Sequence, residues 1–148
     1  MREAVLVSTA RTPIGKAFKG AFNDTQAQAL AGHAISEAVK RSGVAKEEID
    51  DVVIGAASQQ GTQQGNIARQ ALLRAGLPVS VAGMSLDRQC ASGMMAIATA
   101  AKEIIEDGMT ITVGGGVESV SLTRNEHFRT DRVRDPWFET YLPTLYMT

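Results

Sequence analysis

The apolar positions of this chain follow two rhythms that alternate along it. Short continuous apolar runs occupy residues 4–8, 49–57, 81–86 and 110–113, with Val52, Val53 and Ile54 at the centre of the second. Runs of this length read as strands buried by helices on both sides. The segments between them carry helical spacing. Ala27, Leu30, Ala31, Ala34, Ile35, Ala38 and Val39 define the apolar face of a first helix, with Asp24 or Thr25 as its cap and Gly43 as its stop. Residues 66–75 form a short second helix, ended by Gly76 and Pro78. Met94, Met95, Ala98, Ala101, Ile104 and Ile105 mark a third, closing at Gly108. Strands alternating with helices predict an α/β fold, a mixed and mostly parallel sheet with helices on both faces. Reactive groups in such sheets gather at the carboxyl ends of the strands. The loops 8–15, 85–90 and 114–119 are expected to meet there.

The pattern changes near Ser119. Phe128, Trp137, Phe138, Tyr141 and Tyr146 all lie beyond it, helical periodicity fades, and arginines interleave with acidic residues from Arg124 to Glu139. Residues 1–118 therefore read as one α/β domain. Residues 119–148 read as the start of a second unit cut short, or else as a long lid packed across the first.

Composition narrows the function classes. At 148 residues the chain fits one ordinary domain, which buries ~70% of the surface its unfolded chain exposes. Its 44% hydrophobic and 21% charged content is globular, and a net charge of −1 gives no reason to expect nucleic acid or an anionic membrane as partner. The longest apolar run, residues 94–101, falls far short of the ~20 residues of a spanning helix. The first residues lack the apolar length of a secretory signal. A single cysteine rules out an internal disulfide and fits a cytoplasmic, reducing setting.

That cysteine, Cys90, carries most of the functional reading. It lies in Asp87-Arg88-Gln89-Cys90-Ala91-Ser92-Gly93, at the turn between the third apolar run and the third helix. Unpaired N–H groups and the positive end of the helix dipole favour thiolate over thiol there. Ala91, Ser92 and Gly93 are small and leave room above the sulfur for a substrate carbonyl. The Cys90 N–H is placed to meet the oxygen of a tetrahedral intermediate. The competing reading is an inert core cysteine. A base for the thiol is not obvious. His33 falls on the polar side of the first helix, and His127 lies in the irregular region; both read as solvated surface before they read as catalytic. The glycines 114–116 follow neither dinucleotide nor Walker spacing, and read as tight backbone packing beneath the active loop. Two distant histidines and one cysteine give no metal-ligand spacing.

Four of these segments together resemble one family. Ser8-Thr9-Ala10-Arg11-Thr12-Pro13-Ile14-Gly15, Gly65-Asn66-Ile67-Ala68-Arg69-Gln70, Gln89-Cys90-Ala91-Ser92-Gly93 and Gly114-Gly115-Gly116-Val117-Glu118-Ser119 are similar, in order, to thiolases, the acetyl-CoA acetyltransferase family. The resemblance spans nearly all of residues 1–119 and implies a thiolase-like N-terminal domain. It implies that Cys90 is the nucleophile that an acyl-CoA acylates to a thioester. A carbanion from acetyl-CoA then attacks that thioester, with ping-pong kinetics. It implies coenzyme A thioesters as substrates, no further cofactor, and a dimer or tetramer in the full-length form. The tail resembles the family's loop domain, where Met147 would lie near bound pantetheine and Tyr146 stands in place of a histidine. The family's activating histidine, its asparagine motif and its second cysteine have no counterpart in these residues. The expectation is therefore an N-terminal piece of a longer enzyme, inactive alone. The other readings are a partner subunit that needs a complementary chain, and a different condensing enzyme of the same superfamily. The Gln89–Gly93 segment favours thiolase over that last reading.

Overall fold

The computed structural model describes residues 2–146. At its centre is a three-stranded parallel sheet, β1 (Asp51–Gly55), β2 (Ala82–Leu86) and β3 (Thr112–Gly116), in the order β2-β1-β3. Asp51 stands level with Ala82 and Thr112, and Gly55 with Leu86 and Gly116, so all three strands end together. The central strand is buried along its whole length. Its side chains alternate between two apolar layers, as the two-residue period of a strand requires. Val52 and Ile54 join α1 (Ala27–Ser42) and α2 (Ile67–Arg74) on one face, through Ala27, Ala31, Ile35, Val39, Ile67, Ala71 and Leu72. Val53 points to the other face and meets Ala96 and Ala100 of α3 (Ser92–Ile105). The expected α/β architecture with helices on both faces is present, and every strand pairing among the described residues is parallel.

The remaining elements are short. They are single 3-10 turns at Lys46–Glu48, Gly61–Gln63 and Pro143–Tyr146, and helices α4 (Val120–Thr123) and α5 (Pro136–Tyr141). The last turn of α1 ends at Gly43, whose φ of 73° is the left-handed stop that glycine allows.

Several expectations are corrected. Residues 4–8 form no strand: among the described residues they have no ladder partner, and Val5, Leu6 and Val7 are largely exposed. A strand exists only where its peptide groups find a partner, and this segment offers an apolar run without one. Neither Asp24 nor Thr25 caps α1. The helix begins at Ala27, whose N–H donates to Thr62 Oγ1 at 3.0 Å, so a neighbouring turn supplies the cap. Thr62 in turn donates to Gln28 Oε1 at 2.7 Å. The third run, β2, is a half-exposed edge strand, not a buried one. The fourth strand begins at Thr112 and runs through the three glycines, which are strand residues and not a loop. The large apolar residues of α3 face away from the sheet. Ser92, Ala96, Ala100 and Glu103 are buried beneath it, while Met94 and Ile97 are exposed.

The amino end of the sheet holds a group of carboxyls in contrasting settings. Asp50 Oδ2 accepts the N–H groups of Thr110 (2.7 Å) and Ile111 (3.2 Å), which hold its carboxyl below the usual range. Glu103 is buried with Oε2 unpartnered among the described residues. Burial, then the nearby Asp51 and Asp107 carboxyls, push its pKa up. Asp51 is raised in the same way by burial, against the opposing hydrogen bond from Val52 N–H.

A raised folded-state pKa means that the folded protein holds the Glu103 proton more tightly than the unfolded chain does. Its contribution is fully present below the unfolded value and is lost as pH rises through the folded value. Glu103→Met removes an unsatisfied carboxyl and leaves an apolar group of similar length. We expect it to stabilise the chain at neutral pH by roughly 1 kcal/mol. The gain should shrink to nothing or reverse below the ordinary carboxylate range. Thermal melts of both forms across pH check this, and an unchanged or lowered midpoint at neutral pH contradicts it.

Candidate active site

The backbone of α3 lies directly on the carboxyl ends of β1 and β3. A Cβ added at Gly55 would overlap the carbonyl carbon and oxygen of Ser92, one at Gly116 would lie 2.9 Å from Gly93 Cα, and one at Gly114 would lie 2.7 Å from Ile97 Cα. These glycines are what allow the helix to sit where it does. Its first turn is thereby set over the strand ends, and the segment Asp87–Ala91 must rise from β2 and turn sharply to reach it. The expectation that the glycines serve close packing beneath the active loop is met, through the strand itself.

The turn is held by a closed set of hydrogen bonds. Arg88 N–H donates to Ser92 Oγ at 2.8 Å, and Ser92 Oγ donates to Gln89 O at 2.6 Å. Gln89 N–H donates to Asp87 Oδ1 at 2.7 Å. Ala91 N–H reaches Arg88 O and Ser92 N–H reaches Gln89 O. Gln89 adopts φ of 51°. A side chain in that left-handed region costs about 1–2 kcal/mol. The next residue is Cys90, which is exposed. Among the described residues, none accepts a hydrogen bond from its N–H. Cys90 thus stands two residues before α3, on a strained turn at the carboxyl edge of a parallel sheet, its side chain open to solvent. A sharp strand-to-helix turn of this kind presents its side chain to whatever approaches the sheet edge. An inert core cysteine would be buried, and this one is not. Beside the turn is a shallow apolar hollow of about 180 Å³. It is lined by Arg88, Ala91, Met94, Met95 and Ala98.

A second network braces the same edge. Gln63 is fully buried; its Nε2 donates to Ser58 O (2.7 Å) and Glu118 Oε1 (2.8 Å), and its Oε1 accepts from Ser119 N–H. Glu118 Oε2 accepts from Ala57 N–H at 2.8 Å. Val117 N–H bonds Gly55 O, and Ala56 N–H bonds Leu86 O. The chains leaving β1 and β3 are therefore tied together just past the glycines that support Ser92 and Gly93. Sequence reasoning assigned no role to Gln63 or Asp87, and took Ser92 only as a small residue that leaves room above the sulfur. A serine and an aspartate bracketing a turn before a helix are the local signal that could have marked the last two.

The other sequence candidates do not join the site. His33 is exposed on α1. His127 is also exposed, with Nε2 3.6 Å from Glu126 Oε1. The loop 85–90 and the segment 114–119 meet at the strand ends. The loop 8–15 is instead tied to α1, where Arg41 donates to Thr9 O at 3.1 Å. Met147, the candidate substrate contact, lies outside the described residues, as does any orientation of the Tyr146 side chain. Among the described residues, no three His, Cys, Asp or Glu side chains are grouped to hold a metal ion, and no helix is long and apolar enough to cross a membrane.

We expect Gly55→Ala and Gly116→Ala each to push α3 off the sheet. The cost of forcing a methyl group into such contacts is about 1–3 kcal/mol. The measurement is a urea melt together with proteolysis of the Asp87–Ala91 turn. Native stability and an intact turn in both variants would show that the helix start has room to spare.

Comparison with known proteins places these features in one lineage. The family model described as thiolase, N-terminal domain, matches residues 4–137. The chain is 40% identical over 121 residues to a 3-ketoacyl-CoA thiolase of Bacillus subtilis, covering 82% of this chain and 31% of that protein. It is 45% identical over 121 residues to a beta-ketoadipyl-CoA thiolase of Pseudomonas aeruginosa, covering 81% of this chain and 30% of that one. Among solved structures it resembles the Bacillus anthracis acetyl-CoA acetyltransferase, with a TM-score of 0.77 and 42% identity over 82% of this chain and 30% of that chain. The chain spans about a third of the length of the relatives it matches.

Proposed function

Because this chain belongs to the thiolase family, through the N-terminal domain of that family, we propose that Cys90 is the acyl-accepting nucleophile of a thiolase. An acyl-CoA meets the Cys90 sulfur, the carbonyl oxygen takes up charge against the Cys90 N–H, and CoA leaves as its thiol. The acyl group then waits as a thioester for the carbanion of acetyl-CoA, or passes the other way in thiolysis. The observation that carries this reading is the exposed cysteine on a strained turn before α3, at the carboxyl edge of the parallel sheet. The names of the relatives have a coenzyme A thioester in common, and for this chain we assign acyl-CoA and acetyl-CoA as the substrate class. Residues 119–146 belong, in this proposal, to a loop domain that covers the bound substrate. The working protein is a cytoplasmic dimer or tetramer serving fatty-acid or related acyl-CoA metabolism.

The cysteine in this scheme needs a base. The chain has only His33 and His127, and both side chains are solvated. The histidine, the asparagine motif and the proton-moving second cysteine come from a further stretch of polypeptide. Because its side chain is exposed, we expect Cys90 in the purified 148-residue chain to be modified readily by iodoacetamide near neutral pH. The same chain should show no acetoacetyl-CoA thiolysis. Failure to label under native conditions would contradict the nucleophile assignment, and measurable thiolysis would contradict the need for further residues.

Helix α3 supports the same division of labour. With small residues against the sheet, it turns Met94 (76% exposed) and Ile97 (45% exposed) outward, next to Met95 and Ala98. A helix apolar on both sides is a central layer and not a surface one. We propose that the remaining catalytic polypeptide packs on this face. In its absence the chain should associate with itself. Light scattering is expected to give a mass above the monomer that falls in Met94→Lys/Ile97→Lys; a clean monomer at high concentration would remove the argument.

A further inference from the structure

The hydroxyl of Ser92 has no role in the scheme above, yet it is buried and doubly bonded. Ser92 is 4% exposed. Its Oγ accepts from Arg88 N–H at 2.8 Å and lies 2.6 Å from Gln89 O and 3.5 Å from Asp87 Oδ1. A hydroxyl has one proton to give, and the nearer carbonyl of Gln89 receives it. Asp87 Oδ1 holds the other end of the same residue through Gln89 N–H at 2.7 Å. Every main-chain polar group of Arg88 and Gln89 is thereby satisfied within the turn, and the first one left over is the N–H of Cys90. The residue so enclosed is the one in the left-handed region, Gln89 at φ 51°. A non-glycine residue stays in that region only where its surroundings hold it.

We propose that Ser92 is a positioning residue for acyl transfer to Cys90: its hydroxyl holds Gln89 left-handed, which keeps the Cys90 N–H unpaired beside the exposed sulfur. The proposal rests on the reading of Cys90 as acyl acceptor. In that step the Cys90 thiolate forms a bond to the thioester carbon while the carbonyl electron pair moves onto oxygen. The pair returns, the bond to the CoA sulfur breaks, and CoA leaves as a thiolate that takes from solvent the proton Cys90 gave up. The oxygen needs a donor at the moment it is charged. Alkylation by iodoacetamide forms a bond to the same sulfur and breaks a carbon–iodine bond without any oxyanion. A residue that orients the N–H is therefore felt by acylation and not by alkylation.

The experiment compares the full 148-residue chain with Ser92→Ala, Gln89→Gly and the double variant. Mass spectrometry follows two rates at Cys90, acetylation by acetyl-CoA and alkylation by iodoacetamide, both with imidazole added as the base that these residues lack. Ser92→Ala should lower acetylation by roughly tenfold, a fraction of what loss of an oxyanion donor costs, while alkylation stays within about twofold. The double variant should regain most of the acetylation, because glycine adopts the left-handed conformation without help. Both variants carry the same loss at position 92, so a general loosening of the site would persist in both. Equal slowing of the two reactions, no slowing, or no recovery with glycine overturns the proposal while leaving Cys90 as acyl acceptor. Wild-type chain that is alkylated but never acetylated overturns the acyl-acceptor reading of this chain and the proposal with it. Should Ser92→Ala lose its folded amide spectrum, Asp87→Ala removes the other hydrogen bond on Gln89 from an exposed side chain. It must give the same selective loss and the same recovery, and its failure to do so counts equally against the proposal.

Discussion

Helix α3 lies with its backbone against the ends of β1 and β3, and there is no space between them for a side chain. Gly55, Gly114 and Gly116 on the strands, and Gly93 on the helix, are where the two surfaces meet. This contact fixes the height of the helix over the sheet. It also fixes the distance that the chain leaving β2 has to cover before it enters α3. Five residues, Asp87 to Ala91, make that passage, and the sharpness of the turn is what places Gln89 in a strained conformation and Cys90 in the open. Small residues continue down the helix at Ala96 and Ala100 over Val53. The Cys90 turn is thus a consequence of backbone packing some distance beneath it.

The two ends of the sheet differ in kind. At the carboxyl end polar groups are paired with each other: Gln63 bonds Ser58, Ser119 and Glu118, and Glu118 bonds Ala57. A buried polar network of this sort is rigid when each member is satisfied. It braces the edge that carries Cys90. At the amino end the carboxyls of Asp51 and Glu103 are buried near each other, with their proton affinity raised by burial. That arrangement opposes folding at neutral pH. The chain concentrates its paired polar groups at the edge that carries Cys90 and tolerates a poorly paired group at the far end.

Membership of the thiolase family accounts for what would otherwise look like imperfect burial. The outer face of α3 is apolar and open, the 4–8 segment is apolar and unpaired, and the aromatic side chains of Trp137 and Tyr141 stack on one another at 4.9 Å while remaining exposed. Each is apolar surface left open among the described residues of a chain that spans about a third of its relatives' length. The turn that carries Cys90, by contrast, closes its own hydrogen bonds within the domain.

The alternation of apolar runs and helical faces was enough to establish the α/β class, the central strand, three of the helices and the strand-to-helix position of Cys90, because each depends on local periodicity. Four short motifs in order were enough for the family. Local pattern failed wherever a partner decides the outcome. Residues 4–8 have a strand's composition but no ladder; α1 takes its cap from Thr62, 35 residues away; the glycines after Val113 continue β3 because a helix backbone presses on them. The side of α3 that faces the sheet was decided by volume, since only its small residues fit against the glycines, and hydrophobicity alone pointed to the other side. The sequence determined that a lone cysteine precedes a helix. The tertiary structure decided that it is exposed, on a turn held by Ser92 and Asp87, because burial and hydrogen bonding are set by what the fold brings together.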